Sequence, residues 1–523
     1  MAPAGPEDNP VLELVGAERL SVPALLAERA RRSPERLFLR WQGERWSHAE
    51  AWEEALRFAA WARGPGGVAG PGARVAAFLP NRPEMLWAWL GTLAAGAVFV
   101  PLNRAHRGEI LAEMIARSGA RALVTDAAGR ADLPDLSGTG IETVLLAEDW
   151  DEVRAREPAE PAAPAPGDLA ELMYTSGTTG RSKAVRLSHG QLCRGAGWVA
   201  WSLAMGERDV FHAWMPLFHI AGQSDTVLPA VIAGAAVDLH PTFSRSRFWD
   251  QVRASGATLF IGFANVARFL CSLPPRPDDA ATTLRAGVTG AMPAELAVGF
   301  ERRFGVPLHD VYGMTEGEPM ALPHPGEATP PGSCGRPRPD LELAILGEDG
   351  EPLGPGEVGE IAVRGRTDAV LSDGYEGDPE ATAAANRGGW FHTGDLGRRD
   401  EAGFVFFADR LVHSIRHRGE NISSWELESL LASAPGVAEA CAVGVPSPLG
   451  EEDVKAVVVP AEGAGVDPAE LWQWCRGRMA AFMVPRYIEV AASLPRADTG
   501  KVMKEQLRGL GPDVWDAEVG SGG

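Results

Sequence analysis

Three short apolar runs, RVAAFLP (74–80), ARALVTD (120–126) and ETVLLAED (142–149), alternate with helix-like stretches. This alternation constrains the fold more than any other feature, because strands alternating with helical runs imply a mainly parallel α/β sheet. Between the first two runs lies MLWAWLGTLAAGAVFVPL (85–102), which carries no charge. Gly91, Gly96 and Pro101 interrupt it and AVFVPL is strand-like, so it reads as a buried helix turning at Gly96 into a buried strand rather than as a membrane span. Residues 18–63 read as amphipathic helix. AREPAEPAAPAPG (155–167) has no periodicity and reads as a linker or surface loop.

The alternation resumes over 190–320, with GAAVDLH, ATLFIGF and RAGVTGA as strand candidates. Residues 340–408 change to strand–turn–strand texture, largely antiparallel β. After Arg410 helix, strands and a helix over 468–481 suggest a compact α+β domain, and GLGPDVWDAEVGSGG reads as a frayed tail. The expected class is therefore α/β: a large N-terminal domain of parallel α/β sheets (1–412) with a β-rich subdomain (about 335–410), then a small α+β domain (413–523).

A chain of 523 residues with a formal net charge of −21 has room for several cores. That charge argues against non-specific binding to nucleic acid or an anionic membrane. The five cysteines are scattered without a C-x-x-C pair, which points to reduced thiols and a cytoplasmic location. MAPAGPEDNPVLELVG shows no basic region followed by an apolar core, so no secretory signal is expected.

The stretch YTSGTTGRSKAVRLSHG (174–190) concentrates hydroxyls, glycines and a lysine between two strand-like segments. Such donors suit phosphate, although the spacing is not the Walker pattern. Four further segments carry chemistry. WMPLFHIAG (214–222) sets His219 after an apolar run. HDVYGMTEGEP (309–319) gathers a ring, a hydroxyl and a carboxylate, suited to a base, a phosphate and Mg²⁺. GGWFHTGDLGRRDEAGFVFFADR (388–410) offers Asp395 to a ribose diol and Arg410 to ribose or phosphate. LPRADTGKVMKEQL (494–507) carries Lys501 on a turn. Each alone also fits a polar turn or a solvated lysine.

In this order and spacing, YTSGTTGRSKAV, PLFHIAG, YGMTE, WFHTGDLG, RGENISSWELE and TGK make the chain resemble the adenylate-forming superfamily. That group holds acyl- and aryl-CoA synthetases, peptide-synthetase adenylation domains and firefly luciferase. The likeness runs from about residue 20 to 508. RGENISSWELESLLASAPGVAEACAVG and MVPRYIEV are similar to the crotonobetaine/carnitine-CoA ligase type.

The resemblance implies two half-reactions. A carboxylate attacks the α-phosphate of ATP, giving acyl-AMP and pyrophosphate; coenzyme A thiol then attacks the acyl carbon and releases AMP. Nucleotide binding is implied for Thr175, Ser176, Gly177, Thr178, Thr179, Gly180 and Lys183 around the phosphates. For the adenine and α-phosphate end it is implied for Gly290, Ala291, Met292, Asp310, Val311, Tyr312, Gly313 and Met314. Asp395, Phe407 and Arg410 would hold the ribose. The resemblance assigns Lys501, Thr315, Glu316 and His219 to catalysis, with Glu316 also placing Mg²⁺. Arg416, Arg418, Gly419 and Glu420 would meet coenzyme A. His219, Phe263, Val288, Gly290 and Met314 would line an acyl pocket. His413 stands at the hinge about which the mobile C-terminal domain would rotate between steps.

Two departures stand out. DRLVHSI puts His413 where the family usually has Asp or Lys. R-S-K-A-V replaces x-P-K-G-V, so Ser182 and Ala184 stand for proline and glycine. If the glycine served a positive φ or a close backbone approach, Ala184 would displace Lys183 and weaken triphosphate binding. The protein would then mainly thioesterify an acyl-adenylate supplied by an upstream enzyme. Another alternative hands the acyl group to a different thiol, such as a carrier protein. The basic turn Arg416–His417–Arg418 is read either as a charge for coenzyme A or as solvated. The pocket segments 214–224, 260–268 and 286–292 show no charged partner for a substrate tail, favouring an apolar or weakly polar carboxylic acid. The resemblance also admits a homodimer.

Overall fold

The computed structural model describes residues 4–64, 70–106, 108–175, 182–290, 292–410, 415–417, 420–422, 424–447, 452–479, 481, 483–497 and 502–520. Among these, two mainly parallel sheets carry the N-terminal half. The first orders its strands Thr143–Leu146, Ala122–Thr125, Arg74–Phe78, Val98–Pro101, Leu169–Thr175 and Lys183–Ser188, antiparallel only at the last pair. The second runs Leu308–Val311, Ala286–Gly290, Leu259–Phe263, Val210–Ala213, Ala236–Leu239, Leu37–Trp41 and Glu44–Ser47, again antiparallel only at the final hairpin. The α/β class expected from the alternation is the observed one.

The uncharged run folds as helix Pro83–Ala94, then Gly96 at φ 74°, then strand Val98–Pro101. Every residue of that helix from Met85 onward is buried, so its continuous apolarity reflects a core position. Among the described residues no helix is long and apolar enough to cross a membrane.

The stretch 18–63 departs from the helical expectation. Helix Val22–Arg32 gives way to the hairpin Leu37–Trp41/Glu44–Ser47 before helix His48–Arg63 begins. Gln42 (φ 48°) and Gly43 (φ 95°) form the left-handed two-residue turn that suits strand twist. Ser47 and Glu50 then form a reciprocal cap: Glu50 N–H donates to Ser47 Oγ at 3.2 Å and Ser47 N–H to the Glu50 carboxylate at 2.7 Å. The Pro/Ala stretch is strapped to the helices rather than loose, with Ala159 N–H on Leu56 O (3.1 Å) and Ala162 N–H on Ala94 O (2.8 Å).

Strands Leu341–Leu346, Gly359–Gly365, Trp390–Arg399 and Asn386–Arg387 join a further sheet, with Val405–Arg410 paired to Trp390–Arg399. The C-terminal sheet orders Val437–Pro446, Glu452–Pro460, Tyr487–Val490 and Trp515–Asp516 over helices Ser424–Ala432 and Pro468–Arg476. The tail expected to fray therefore supplies an edge strand, pairing Tyr487 with Asp516 and Ile488 with Trp515. The chain forms two compact units. One is Met1–Ala344 with Ala362–His392 and Asp400–Phe406; the other is Ile345–Ile361 with Thr393–Arg399 and Phe407–Gly523.

Candidate active site

In the first unit, strands Leu169–Thr175 and Lys183–Ser188 pair with Tyr174 opposite Ala184 and Thr175 opposite Lys183. Thr175 Oγ1 donates to the Lys183 carbonyl at 3.4 Å. Ser176, Gly177, Thr178, Thr179 and Gly180 lie outside the described residues. Ala184 sits in this extended ladder, buried, and its carbonyl accepts from Glu376 N–H at 2.8 Å. It is not among the positive-φ residues, so the position makes no demand for glycine conformation.

The Lys183 ammonium lies 4.8 Å from the centre of the Tyr375 ring. The Tyr375 hydroxyl donates to Glu316 Oε1 at 2.8 Å. Next to it, Glu376 takes Arg74 on one carboxylate oxygen and Arg186 on the other, which pins this segment to two strands of the first sheet. A cavity of about 630 Å³ opens beside them, lined by Arg186, Asp373, Tyr375, Asp378 and Asn386 among others. Sequence reasoning missed Tyr375; it lies in a Gly-Tyr pair far along the chain from either partner, and no local pattern marked it.

Across the second sheet, Phe263, Gly290 and Val311 stand in register at the C-terminal ends of three parallel strands. Such ends are where open α/β sheets bind ligands. Phe263 is 48% exposed there. Ala291 lies outside the described residues, while Met292 N–H donates to Asp310 Oδ1 at 3.2 Å. Burial pushes the Asp310 carboxyl up to about 8. Tyr312 is buried and its backbone exchanges hydrogen bonds with Ala321. Gly313 and Met314 lead into the single turn Thr315–Gly317, whose members are all buried. Gln191 Nε2 donates to Thr315 O at 3.2 Å and Ser372 N–H to Glu316 O at 2.8 Å, fixing that turn from two sides.

His219 caps the short helix Ile220–Gly222, its Nδ1 accepting from Ala221 N–H at 3.2 Å; burial holds the imidazole below its usual range and hence neutral. Val288 packs in a cluster with Ala221 and Met215. Two carboxylates in this region escaped the sequence reading. Asp225 is buried in the polar turn Gln223–Val227, directly after the His219 helix. The Glu318 carboxylate fills the space beside Gly313, where a Cβ would stand 2.6 Å from its Oε1.

In the second unit, Asp395 is buried on strand Trp390–Arg399. Its N–H donates to Thr393 Oγ1 at 3.1 Å, and that hydroxyl donates to Ile361 O at 2.7 Å. Phe407 and Arg410 lie on strand Val405–Arg410. Arg416 pairs with Asn421 and His417 with Glu420 in a short hairpin. His417 is buried against the Glu452 carbonyl at 2.6 Å, so this member of the basic turn is not solvated. His413, Arg418, Gly419 and Lys501 lie outside the described residues.

The described groups of the first unit put a lysine, a tyrosine and a carboxylate in one chain of contacts, with a buried hydroxyl beside that carboxylate. Such a set suits an anion and its counter-cation. Comparison with known proteins agrees. The AMP-binding enzyme family matches residues 26–375 and the AMP-binding enzyme C-terminal domain matches 426–501. The chain is 34% identical over 456 residues to the crotonobetaine/carnitine–CoA ligase of Salmonella typhi, covering 84% of this chain and 88% of that one. ATP-bound MatB from Rhodopseudomonas palustris superposes with a TM-score of 0.86 at 28% identity, over 93% of this chain and 98% of that one. The o-succinylbenzoate coenzyme A synthetase of Bacillus subtilis in complex with AMP gives 0.82 at 29% identity, over 93% and 98%. The chain thus belongs to the AMP-binding, adenylate-forming enzyme family and is an acid–thiol ligase of its acyl-CoA synthetase branch.

Proposed function

We propose that the protein converts a small carboxylic acid, ATP and coenzyme A to acyl-CoA, AMP and pyrophosphate, through an acyl-adenylate. The observation that carries this reading is the contact chain Lys183–Tyr375–Glu316, which ties the lysine of the hydroxyl-rich loop to the acidic member of YGMTE. Carboxylate and triphosphate repel one another, so adenylation needs fixed cations and donors aimed at the developing charge. Lys183 and the loop hydroxyls would meet the β- and γ-phosphates. Thr315 would donate to the α-phosphate, and Tyr312 would stack on adenine. The buried carboxylate of Glu316 is the group suited to hold Mg²⁺, which would neutralise phosphate charge when bound.

Asp395 would grip the ribose, with Arg410 beside it. Lys501 belongs by sequence to the second compact unit and would act on the carboxylate and α-phosphate. That division supports a rotation of the C-terminal domain, 413–523, about His413 between the half-reactions, with Arg416, Arg418, Gly419 and Glu420 serving coenzyme A in the second. The ordinary strand conformation of Ala184 speaks against loss of the first half-reaction. A cytoplasmic location suits the coenzymes and the free cysteines. Purified protein should exchange labelled pyrophosphate into ATP in the presence of an accepted acid. Absence of exchange with every acid, together with conversion of added acyl-AMP to acyl-CoA, would replace this reading by the thioesterifying one.

A further inference from the structure

Away from the motif segments, two histidines and an aspartate converge on one face of the second sheet. His212 on strand Val210–Ala213 stands directly opposite Asp238 on the parallel strand Ala236–Leu239. His240 follows two residues after Asp238, which on extended backbone puts both on one face. Its N–H donates to Ala213 O at 2.7 Å, holding it to the neighbouring strand. Asp238 Oδ2 lies 3.3 Å from His212 Nδ1 and 2.9 Å from His240 Nε2. One ligand atom from each of the three residues falls within 4.8 Å of the others, and the two imidazole rings are 4.4 Å apart at their centres.

The surroundings enclose the cluster without supplying a fixed cation. Asp238 is buried, and among the described residues its ion-pair partners are these two histidines alone. Arg40 stands in register on its other side, but the guanidinium is drawn away to the Ser255 carbonyl. A buried carboxylate is ordinarily met by a charged side chain or a metal ion. His212 is walled in by Trp214 and Phe248, with ring centres at 5.3 and 5.4 Å. The His240 side chain, by contrast, is 18% exposed and leaves an approach from solvent. On helix Phe248–Ser255 the Gln251 amide reaches His240 Nδ1 at 3.2 Å, fixing the ring with Nε2 toward Asp238.

We propose that His212, Asp238 and His240 form a binding site for a divalent transition-metal ion of the zinc type, separate from the Glu316 carboxylate. Two imidazoles and a carboxylate suit zinc, whereas magnesium favours a shell of oxygens. Ligands at about 2.0–2.1 Å in a tetrahedron stand about 3.4 Å from one another, so small side-chain rotations bring the three atoms onto one ion. Each neutral imidazole then carries its proton on the nitrogen turned from the ion. At His240 that nitrogen is Nδ1, and the Gln251 amide turns its oxygen to accept from it. Water from the open side of His240 completes the fourth position. The Asn81 amide donates to His240 O at 3.2 Å and to Met215 O at 3.0 Å, so the ion would brace the strand ends that lead into the His219 segment.

The test uses the full-length protein, stripped with a chelator, dialysed without nucleotide against micromolar Zn²⁺ at neutral pH, and assayed for bound metal by mass spectrometry. Wild type should keep about one equivalent of zinc, and His240→Asn and Asp238→Asn should each keep less than about a tenth of that. Zinc K-edge X-ray absorption of the loaded wild type should show two imidazoles and no sulfur in the first shell. A hydrogen-bonded triad that takes no metal predicts no zinc above the buffer blank, and that result overturns the proposal. Equal retention by wild type and both variants overturns it too, because the zinc then sits elsewhere, on cysteines or carboxylates. Should the variants fail to fold, the wild-type spectrum decides: a sulfur ligand, or fewer than two imidazoles, overturns the site.

Discussion

The Tyr375 hydroxyl donates to Glu316 Oε1 at 2.8 Å while the face of the same ring lies 4.8 Å from the Lys183 ammonium. One aromatic side chain thereby sets the position of two groups of opposite charge. Tyr375→Phe keeps the ring and removes only the hydrogen bond. It is expected to raise the Mg²⁺ concentration needed for half-maximal pyrophosphate exchange several-fold, with a smaller effect on KM for ATP. Tyr375→Leu removes both contacts and should raise both. A Phe variant indistinguishable from wild type in Mg²⁺ titrations would mean that the hydroxyl does not orient Glu316.

Lys501→Ala should separate the half-reactions. Exchange of pyrophosphate is expected to fall by 100-fold or more, on the order of the effect of removing a group that stabilises developing charge. Conversion of chemically prepared acyl-AMP to acyl-CoA should stay within a few-fold of wild type. Loss of both activities with a lowered melting temperature would instead mark a damaged fold.

Ala184 stands in a strand of the first sheet and packs in a buried apolar cluster, so restoring the family's glycine should not help adenylation. Ala184→Gly is expected to lower stability by about 1 kcal/mol through lost packing and added chain entropy, with exchange activity unchanged or reduced. Denaturant melts and exchange assays on the same preparation check both halves of this statement.

Glu171 lies fully buried on strand Leu169–Thr175, where Trp89 Nε1–H donates to one carboxylate oxygen and the other has no partner among the described residues. Burial pushes this carboxyl up to about 8. The folded chain therefore keeps a proton that the unfolded chain releases near pH 4 to 5. The stability this group contributes is present below that range and is lost as pH rises through about 8. Glu171→Gln removes the titration and keeps an acceptor for Trp89. The difference in unfolding free energy between wild type and variant should fall by about 1.4 kcal/mol per pH unit across this window. A difference independent of pH would show that Glu171 is ionised in the folded protein.

Cys193, Cys334, Cys441 and Cys475 are buried and only Cys271 is partly open. Burial raises the Cys271 thiol too, so native alkylation should be slow. Mass mapping after brief treatment with iodoacetamide should find the label on Cys271 first, with the other four modified only after denaturant is added.

The sheets were legible because alternation of apolar runs is set by local periodicity, and the motif segments because their residue order is unusual. What escaped was non-local or depended on a turn. The hairpin at Gln42–Gly43 hid within a stretch whose apolar spacing also suits a helix, and only the two left-handed turn residues break that pattern. Trp515 and Asp516 pair with Tyr487 and Ile488 in a tail whose glycines and proline suggested fraying. The Ala184 substitution drew attention as a departure from a motif, yet the ladder around it accepts any small residue that is at ease in extended backbone.

That closing edge strand has a practical consequence for handling the protein. Arg486 holds it through Asp516 and also contacts Asp453, so the last strand is stitched to the centre of the C-terminal sheet by charge as well as by backbone pairing. Removing residues from 515 onward would bare the Tyr487–Val490 edge, a template for pairing between molecules. An affinity tag is therefore better carried on the other terminus, and a shortened recombinant version ending before Trp515 should be checked for self-association before its kinetics are trusted.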